Sequence, residues 1–475
     1  MHKYHSTVTR RDFMKTLGLG VAGVGAVAAS APIYNDLDDM LSSNTHDLKV
    51  HKQWWIKEND IGNITTKIDW NMWQPFDTIR NPGPIMSGPG ANGAMSPENT
   101  ANRTRRQKEG VEKNWGGSTL RDLALDQATN GIAPSTPWDG AGSSKAESLG
   151  VPRWQGVSPE DNTIMCRAAA HMYGSPKCGA MLLDETTKKL FDTNVMFVSN
   201  TESGEAELKD GKYLIPSKFK YIVTWVVKQS HTYGKYTMRN NPDDPWYNKV
   251  FRLGKAGENQ AYSHGPQIRA QMVRFITALG YKAVKPEIRA NTQFGVWSGL
   301  AESGRTSYAL SPIYGLMMRQ IDWFLTDLPL APTKPIDGGM LRFCKSCMTC
   351  AKYCPSDTIS MEKNPSFDTV CTYNVAGLET WYLDWDSCAK FGGPFDCVSC
   401  QVVCPFSHEN EHAAVHNIIR TTQKITPIFN GFFANMEEIY GYNKQFSDKK
   451  LHAWWYRDLD TWKHDTLLGF GTKGW

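Results

Sequence analysis

Eight of the 11 cysteines of this chain lie between Cys344 and Cys404, in two runs of nearly equal spacing. The runs are Cys344, Cys347, Cys350 and Cys354, followed by Cys388, Cys397, Cys400 and Cys404. The first run has the spacing C-x2-C-x2-C-x3-C-P, and the second repeats it with its first gap widened to eight residues. This spacing is typical of bacterial ferredoxins, whose thiolates bind iron–sulfur clusters. The fold must therefore bring two short cysteine loops together.

The ligands of each cluster follow from the way two-cluster ferredoxins share their cysteines. In those proteins the last cysteine of each run binds the cluster of the other run. The sequence thus predicts one [4Fe–4S] cluster on Cys344, Cys347, Cys350 and Cys404, and a second on Cys388, Cys397, Cys400 and Cys354. Zinc knuckles and a disulfide framework are the alternatives, and neither fits two tandem runs that both end in Cys-Pro.

Three cysteines lie outside the two runs. Cys166, Cys178 and Cys371 are predicted to be ordinary buried thiols, because free cysteine packs like a small apolar side chain.

The N-terminus contains a twin-arginine export signal. Arg10 and Arg11 precede Phe13 at the spacing of such signals, and an apolar stretch from residue 17 to 31 follows that is short for a membrane span. Residues 1–31 are predicted to be the signal peptide, with cleavage after Ala28 or Ala31. We therefore expect an exported protein on the outer, periplasmic side of the cytoplasmic membrane.

Composition excludes some classes of function. The 475 residues carry a formal charge of +4, much of it in the predicted leader, so the mature chain is close to neutral and has no charge pattern for nucleic-acid binding. Beyond the leader no apolar run reaches about 18 residues, which favours a soluble mature body. The 17 tryptophans, 18 tyrosines and 19 phenylalanines are enough to fill a large core and to line a pocket for a flat cofactor.

Changes in composition along the chain predict its organisation. A Gly-, Pro-, Asn- and Ser-rich region that wraps over the rest is followed by an α/β core, the cysteine domain and a covering segment, with predicted bounds 32–158, 159–333, 334–410 and 411–475.

Within the core, patterns of apolar residues predict individual elements. A helix is expected from Thr163 to His171 and a buried strand from Tyr221 to Val227. A second helix is expected from Pro266 to Leu279, ended by Gly280, and a strand from Tyr281 to Val284. Alternating helices and strands of this kind indicate an α/β (α+β) domain built on a sheet.

Further short motifs appear in a fixed order between the leader and the cysteine runs. They are Trp154-Gln155-Gly156, Pro159-Glu160-Asp161-Asn162, Arg167-Ala168-Ala169-Ala170, Leu279-Gly280-Tyr281, Glu302-x-Gly304-Arg305, Thr326-Asp327-Leu328-Pro329 and Lys334-Pro335-Ile336-Asp337. Together with the twin arginines and the cysteine runs, these motifs resemble the catalytic subunit of respiratory reductive dehalogenases. The resemblance extends from Arg10 to about Trp455.

The resemblance implies a nitroreductase-like core that binds a corrinoid (a cobamide) base-off, with a two-cluster ferredoxin-like domain that delivers electrons to cobalt. The implied reaction replaces a halogen of a chlorinated ethene, ethane or arene by hydrogen, as the terminal step of organohalide respiration. The corrinoid signature D-x-H-x-x-G is absent, since Gln229 stands where Asp is required before His231. This agrees with a family in which the lower cobalt ligand is not a protein histidine, and His231 is expected to be a polar residue near a strand end.

The resemblance also implies roles for residues of the catalytic site. Tyr262, expected near the start of the helix that ends in Leu279-Gly280-Tyr281, matches the family's proton donor. Arg319 matches the arginine that stabilises the tyrosinate, although Met317 stands where the family often has a further arginine. Asn291 is the candidate for a third polar pocket residue, and Arg305 is a less favoured alternative to Arg319. The plain alternatives are a packing tyrosine and a surface arginine.

Two other functions are compatible with the cysteine runs. One is a non-catalytic, exported iron–sulfur subunit that only transfers electrons, although some 300 residues before the first cluster suggest a second cofactor. The other is a corrinoid enzyme like epoxyqueuosine reductase, which the export signal disfavours because transfer RNA is not outside the cell. Expected partners are an organohalide, a small hydrophobic membrane-anchor subunit and an upstream respiratory electron donor.

Overall fold

The computed structural model describes residues 47–82, 96–129, 133–238, 252–289, 291–395, 397–408 and 414–459. The twin-arginine segment and the predicted cleavage sites lie outside these residues. None of the helices in these ranges is both long and apolar enough to cross a membrane.

The strands are short except for two that form the centre of the main sheet. In chain order they are β1 Lys57–Glu58, β2 Cys178–Leu182, β3 Val195–Val198, β4 Glu207–Lys209, β5 Lys212–Pro216, β6 Tyr221–Lys228, β7 Ala283–Val284, β8 Glu302–Ser303, β9 Ala309–Leu310, β10 Met318–Thr326 and β11 Ile336–Asp337.

The helices surround this sheet and make up most of the C-terminal third. They are α1 Pro97–Glu112, α2 Leu120–Thr129, α3 Lys145–Ser148, α4 Pro159–Met172, α5 His231–Lys235, α6 Arg252–Ala278, α7 Asn291–Trp297, α8 Met340–Cys347, α9 Thr349–Lys352, α10 Trp385–Phe395, α11 Ser399–Val402, α12 Ala414–Ile425, α13 Asn430–Ile439 and α14 Asp448–Ala453. Two 3₁₀ turns lie at Thr187–Leu190 and Trp454–Tyr456.

The main sheet is antiparallel, with the strand order β2-β6-β10-β7. The predicted strand from Tyr221 to Val227 is present as β6, whose last seven residues are buried because both faces of the sheet are covered. The strand predicted from Tyr281 is shorter than expected and consists of β7 alone. A register shift between Met318 and Gln320 interrupts the pairing of β10 with β6 at Arg319. Irregularities of this kind re-aim a side chain, often beside a functional site.

Alternate side chains of β6 and β10 belong to two separate cores, as the period of two in a strand requires. Val223, Trp225 and Phe324 pack with residues of α6 on one face. On the other face, Trp323 and Leu325 pack with aromatic residues from the loops before β3 and from α7. The sheet is thus the middle layer of the molecule, and the mixed helix and strand content confirms the predicted fold class.

Helix α4 contains the predicted helix but begins four residues earlier, at Pro159, and α6 is much longer than predicted. Ser158 caps α4 by accepting a hydrogen bond from the Asp161 backbone N–H. Helix α6 has 27 residues and contains Pro266 in its interior, so the prediction that this helix begins at Pro266 is wrong. Tyr262 consequently lies in the middle of the helix and not near its start.

The composition of α6 explains why the sequence pattern missed its first half. This half is buried mainly through small residues, including Gly254, Ala256, Gly257 and Ala261, so it carries no apolar stripe. A Cβ atom at Gly257 would overlap the Tyr233 side chain of α5. The close approach of the two helices therefore requires glycine at this position.

In the described part of the region predicted to wrap over the core, three helices are present that the sequence pattern did not predict. Helix α2 is joined to α6 by Asp126, which pairs with Arg252 at 3.0 Å and accepts a hydrogen bond from Asn259 at 2.7 Å. Strand β1 pairs with β11 at the edge of the cysteine domain.

Of the three cysteines outside the runs, Cys166 and Cys178 are buried as predicted, whereas Cys371 is only partly buried. The prediction of a buried thiol is therefore wrong for Cys371, which lies in a loop before α10.

Substitution of Gly257 by alanine tests the close approach of α5 and α6. We expect Gly257→Ala to destabilise the protein by about 1–3 kcal/mol, because the added methyl group forces two packed helices apart. Gly431→Ala is the matched control, since a Cβ atom there has nothing within 4 Å and alanine in a helix is favoured by up to about 1 kcal/mol. Thermal unfolding of both variants at one scan rate measures the difference, and equal Tm values would contradict the packing argument.

Candidate active site and cluster-binding loops

The structure brings together four cysteines that the crossed assignment places on the first cluster. Cys344 and Cys347 lie on α8, Cys350 lies on α9, and Cys404 follows α11. All four line one cavity that is otherwise mostly apolar and includes Phe343 and Phe406. Burial, and then the nearby Cys347 thiol, raise the pKa of Cys344 to about 12.

A second group of thiols forms around Cys388, Cys397, Cys400 and Cys354. Burial, then the neighbouring Cys397 and Cys354, raise the pKa of Cys388 to about 12. Burial also raises the pKa of Cys400, with further contributions from the other three thiols. Cys354 of the first run therefore lies with the second run, and the widened gap still brings Cys388 to this group.

Such thiol groups fit a metal cluster on chemical grounds. A thiol that is shielded from water is stable in its neutral form, but four thiols that face one another can form few hydrogen bonds. Iron binds thiolates and displaces their protons, so cluster binding converts each group into a stable charged unit.

Arg305 is buried beside the first group and organises its loop. Its Nε and Nη2 donate to the Cys344 carbonyl at 3.2 and 2.7 Å. Its Nη1 donates to the carbonyls of Ser360 and Glu362, both at 2.7 Å. The guanidinium also lies 4.4 Å from the Trp381 ring centre. Arg305 thus serves the cluster loop, and the structure gives it no place beside Tyr262.

Glu302 is a further buried residue that the sequence analysis quoted only as part of a motif. Its Oε2 accepts hydrogen bonds from the backbone N–H groups of Gly338 and Met340, at 3.0 and 3.1 Å, where α8 begins. Burial, followed by repulsion from Asp337, raises the pKa of Glu302 to about 7. Glu302 therefore anchors the helix that carries Cys344 and Cys347.

Tyr262 of α6 and Arg319 lie side by side near the start of β10. The guanidinium carbon of Arg319 is 4.9 Å from the centre of the Tyr262 ring. Tyr262 is 40% exposed, although its neighbours Ala261 and Ser263 are 0% and 8% exposed. The ring therefore faces open space from the middle of a buried helix, where a small molecule can reach its hydroxyl.

Arg319 is also held by polar side chains from α6 and from the residue that follows β6. Its Nη1 lies 3.2 Å from Glu258 Oε1 and 3.5 Å from Gln229 Oε1. Burial alone would lower the pKa of Arg319, but Tyr262 and Glu258 outweigh burial and raise it. Arg319 is therefore a permanent cation against the tyrosine ring.

Tyr308 connects this pair electrostatically with the second thiol group. Burial, then Cys388 and Cys400, raise the pKa of Tyr308, while Arg319 acts in the opposite direction. Its ring stands edge-on to Trp385 of α10 at 5.4 Å. Tyr308 is therefore within electrostatic range of both the second thiol group and Arg319. No sequence motif marked Tyr308.

Asn291 is placed at the start of α7. Its Oδ1 accepts a 2.6 Å hydrogen bond from the indole N–H of Trp323, four residues beyond Arg319 on β10. The structure gives it a partner on the other core, and no described contact joins it to Tyr262. Its role in a pocket stays a prediction.

His231 follows β6, as expected for a polar residue near a strand end. It is fully buried, its Nε2 lies 3.0 Å from the Val402 carbonyl, and its ring contacts His408 at 4.4 Å. His231 therefore joins the core to the segment around Cys400 and Cys404.

The surroundings of Tyr262 fit a ligand that is rich in amide groups. Among the described residues, Gln229 Nε2, Arg319 Nε and Gln320 Oε1 are buried atoms without a hydrogen-bond partner. They lie where β6 ends and β10 is irregular. A corrinoid carries amide side chains that both donate and accept hydrogen bonds, so these atoms suit its rim.

Comparisons with known proteins agree with this site. Residues 343–407 match the family of 4Fe-4S double cluster binding domains, which covers both cysteine runs. The trichloroethene reductive dehalogenase of Dehalococcoides mccartyi is 30% identical, over 95% of this chain and 97% of its own length. The chloroethene reductive dehalogenase of strain VS of that species is 29% identical, over 96% and 98% of the two chains.

Solved structures show the same fold. The catabolic reductive dehalogenase NpRdhA in complex with 3-bromo-4-hydroxybenzoic acid superposes with a TM-score of 0.56 at 18% identity, over 82% of this chain. A reductive dehalogenase structure that suggests a mechanism for B12-dependent dehalogenation gives a TM-score of 0.55. The chain spans about half of those structures, 49% in each case.

The chain belongs to the reductive dehalogenases, a family of oxidoreductases, as its resemblance to them predicts. It carries the double-cluster domain that the cysteine spacing predicts.

Replacement of Arg305 tests its role at the first cluster. Arg305→Met keeps the length of the side chain but removes every donor to the Cys344, Ser360 and Glu362 carbonyls. We expect bound iron to fall from about eight to about four atoms per chain, because only the first cluster loses its support. Iron analysis with electron paramagnetic resonance of the reduced protein measures this.

Arg342→Met is the control, since Arg342 lies on α8 with Cys344 but donates at 3.1 Å to the Lys424 carbonyl. Full iron content in Arg305→Met, or equal losses in both variants, would contradict the assignment.

Proposed function

We propose that this protein replaces a halogen of a small chlorinated ethene by hydrogen, as the terminal reductase of organohalide respiration, with a corrinoid and two [4Fe–4S] clusters. The observation that carries the proposal is Tyr262, which is 40% exposed and whose ring centre lies 4.9 Å from the guanidinium carbon of Arg319. The two relatives that match over their full length are named for trichloroethene and chloroethene, which favours ethenes over arenes.

The overall reaction defines what the protein must supply. An organohalide takes up two electrons and one proton, and yields the hydrogen-substituted product and a halide ion. The corrinoid cobalt, when bound, supplies the strongly reducing centre at which the carbon–halogen bond is cleaved. The polar atoms of Gln229, Arg319 and Gln320 are the groups that would hold it. The cysteine loops bring electrons to the same side of the core.

The proton comes from Tyr262. A phenol with a pKa near 10 is a weak acid, so its anion must be stabilised while the proton leaves. Arg319 is a fixed cation beside the ring, and an adjacent cation favours the tyrosinate. Because Arg319 is anchored by Glu258 and Gln229, it requires no reorganisation during the transfer.

An electron-transfer subunit would have no use for these groups. It needs its cysteine loops and a docking surface, but not a partly buried cation that contacts an exposed tyrosine 57 residues earlier in the chain. The Tyr262–Arg319–Glu258 arrangement therefore favours an enzyme over a carrier.

Export and membrane association form part of the proposal. The twin arginines at Arg10 and Arg11 support transport in the folded state, after cluster insertion, to the outer face of the cytoplasmic membrane. A small hydrophobic anchor subunit would hold the protein there and bring it close to its electron donor. Detection of such a subunit with the protein in detergent extracts of native membranes tests this part.

The export signal is tested by exchanging both arginines for lysine. Arg10→Lys/Arg11→Lys keeps the charge of the leader but removes the paired guanidinium groups, so we expect the protein to stay inside the cell. Lys15→Arg is the matched control and should be exported normally. Fractionation and protease accessibility of spheroplasts measure the location, and export of the double-lysine variant would contradict the proposal.

Replacing Tyr262 by phenylalanine tests its proposed role as the proton donor. Tyr262→Phe should lower kcat for dechlorination of chlorinated ethenes by about 10²- to 10⁴-fold, since a positioned general acid contributes about that much. Cofactor content, measured as iron and cobalt per chain, should stay unchanged.

Tyr173→Phe is the control, because Tyr173 packs beside Phe275 in the core away from the site. Dechlorination by Tyr262→Phe at the parent rate would remove Tyr262 from the mechanism. Failure of the cobamide-reconstituted protein to bind cobalt would leave an electron-transfer subunit.

A further inference from the structure

Helix α6 carries a buried carboxylate one turn before Tyr262. Lys255, Glu258 and Tyr262 are spaced by three and four residues, so they share one face of the helix. Glu258 is only 9% exposed. No motif in the sequence marked this glutamate as functional.

One oxygen of Glu258 contacts two cations. Its Oε1 lies 2.9 Å from Lys255 Nζ and 3.2 Å from Arg319 Nη1. Burial would raise the pKa of Glu258, but Arg319 and then Lys255 outweigh burial and lower it. Glu258 therefore stays ionised, and the site contains a row of positive, negative and positive charge with the buried carboxylate at its centre.

The contacts of Arg319 show what this carboxylate does. Apart from Glu258, its polar contact in the described structure is Gln229, at a long 3.5 Å, and its Nε has no partner. The guanidinium is thus placed against the Tyr262 ring chiefly by Glu258. The carboxylate also offsets part of the positive charge that the tyrosine experiences.

Other charged or titratable groups act on this row from neighbouring elements. Arg103 of α1 interacts with Glu258, while Tyr308 and Cys400 interact with Arg319. None of these groups replaces Glu258, because in the described structure its carboxylate is the one acidic group that contacts Arg319 directly.

We propose that Glu258 is a positioning residue that fixes Arg319 against Tyr262 and limits how strongly that arginine stabilises the tyrosinate. Without Glu258 to offset the charge of Arg319, Tyr262 would lose its proton at lower pH. It could then no longer donate a proton when the substrate binds. With no arginine, the phenol would be too weak an acid. Glu258 thus keeps the acidity of Tyr262 between these two limits. The inference rests on the proposed role of Tyr262 as proton donor.

The test compares the ionisation of Tyr262 in two variants that disturb the same carboxylate in opposite directions. Glu258→Gln removes a negative charge, so Tyr262 should ionise at a pH lower by about one unit. Lys255→Gln removes a positive charge and leaves Arg319 held, so Tyr262 should ionise at higher pH. A loss of structure alone would not give shifts of opposite sign.

The measurement uses the cofactor-loaded protein without substrate. Ultraviolet difference titration of each protein against its Tyr262→Phe counterpart isolates this tyrosine from the others. The alkaline limb of the pH profile of kcat/KM for chlorinated ethenes should move with the titration midpoint. Glu258→Asp, which keeps the charge, should restore most of the parent profile.

The outcomes separate this inference from the proposed function. An unmoved midpoint in Glu258→Gln, with activity lost equally at every pH, would overturn the role of Glu258. If Glu258→Gln does not fold, the test rests on Lys255→Gln. If the titration midpoint of Tyr262 does not move to higher pH in that variant, the inference is overturned. Full activity of Tyr262→Phe would instead reject the proton donor, whatever the titrations show.

Discussion

The crossing of the two cysteine runs is the constraint on which the rest of the molecule depends. Because Cys354 lies with the second run and Cys404 with the first, neither loop can move without the other. The crossing places the segment around Val402 against His231 at the end of β6. It also places Cys388 and Cys400 within electrostatic reach of Tyr308, and hence of Arg319. The two thiol groups and the proposed proton donor are thus linked through one arrangement of the cysteine loops.

The positive charges of Arg305 and Arg319 are balanced in different ways. At the first thiol group, Arg305 satisfies its donors with backbone carbonyls, so its positive charge remains available to the thiolates. At the proposed catalytic end, Arg319 faces a carboxylate and a phenol, so its charge is shared. A buried cation bound to carbonyls stabilises a loop, whereas one bound to an acid and a tyrosine can control a proton.

The sequence predicted the parts of the fold that depend on local spacing. Cysteine spacing identified both cluster loops, and the β-branched run at Tyr221 identified the central strand β6. The start of α6 was wrong because small residues, which pack α5 closely, carry no periodic apolar signal. Glu258 and Tyr308 were missed because their importance arises from contacts with Arg319 and the second thiol group, across long separations in sequence. The resemblance to reductive dehalogenases supplied Tyr262 and Arg319, which the residues alone did not distinguish from packing and surface groups.

The small residues of α6 also explain how a rigid site can coexist with an open tyrosine. Gly257 lets α5 approach, and Gly265 lets the helix lie against Gln320 of β10, so the backbone on both sides of Tyr262 is fixed by close contacts. Only a helix held this tightly can point a large ring into open space without collapsing onto it, since dense packing resists local movement. The irregular pairing of β10 falls at Arg319, whose guanidinium lies against the Tyr262 ring. The positions of the proposed proton donor and of Arg319 are therefore set by backbone packing, and the proton transfer proposed for them by the charges that surround them.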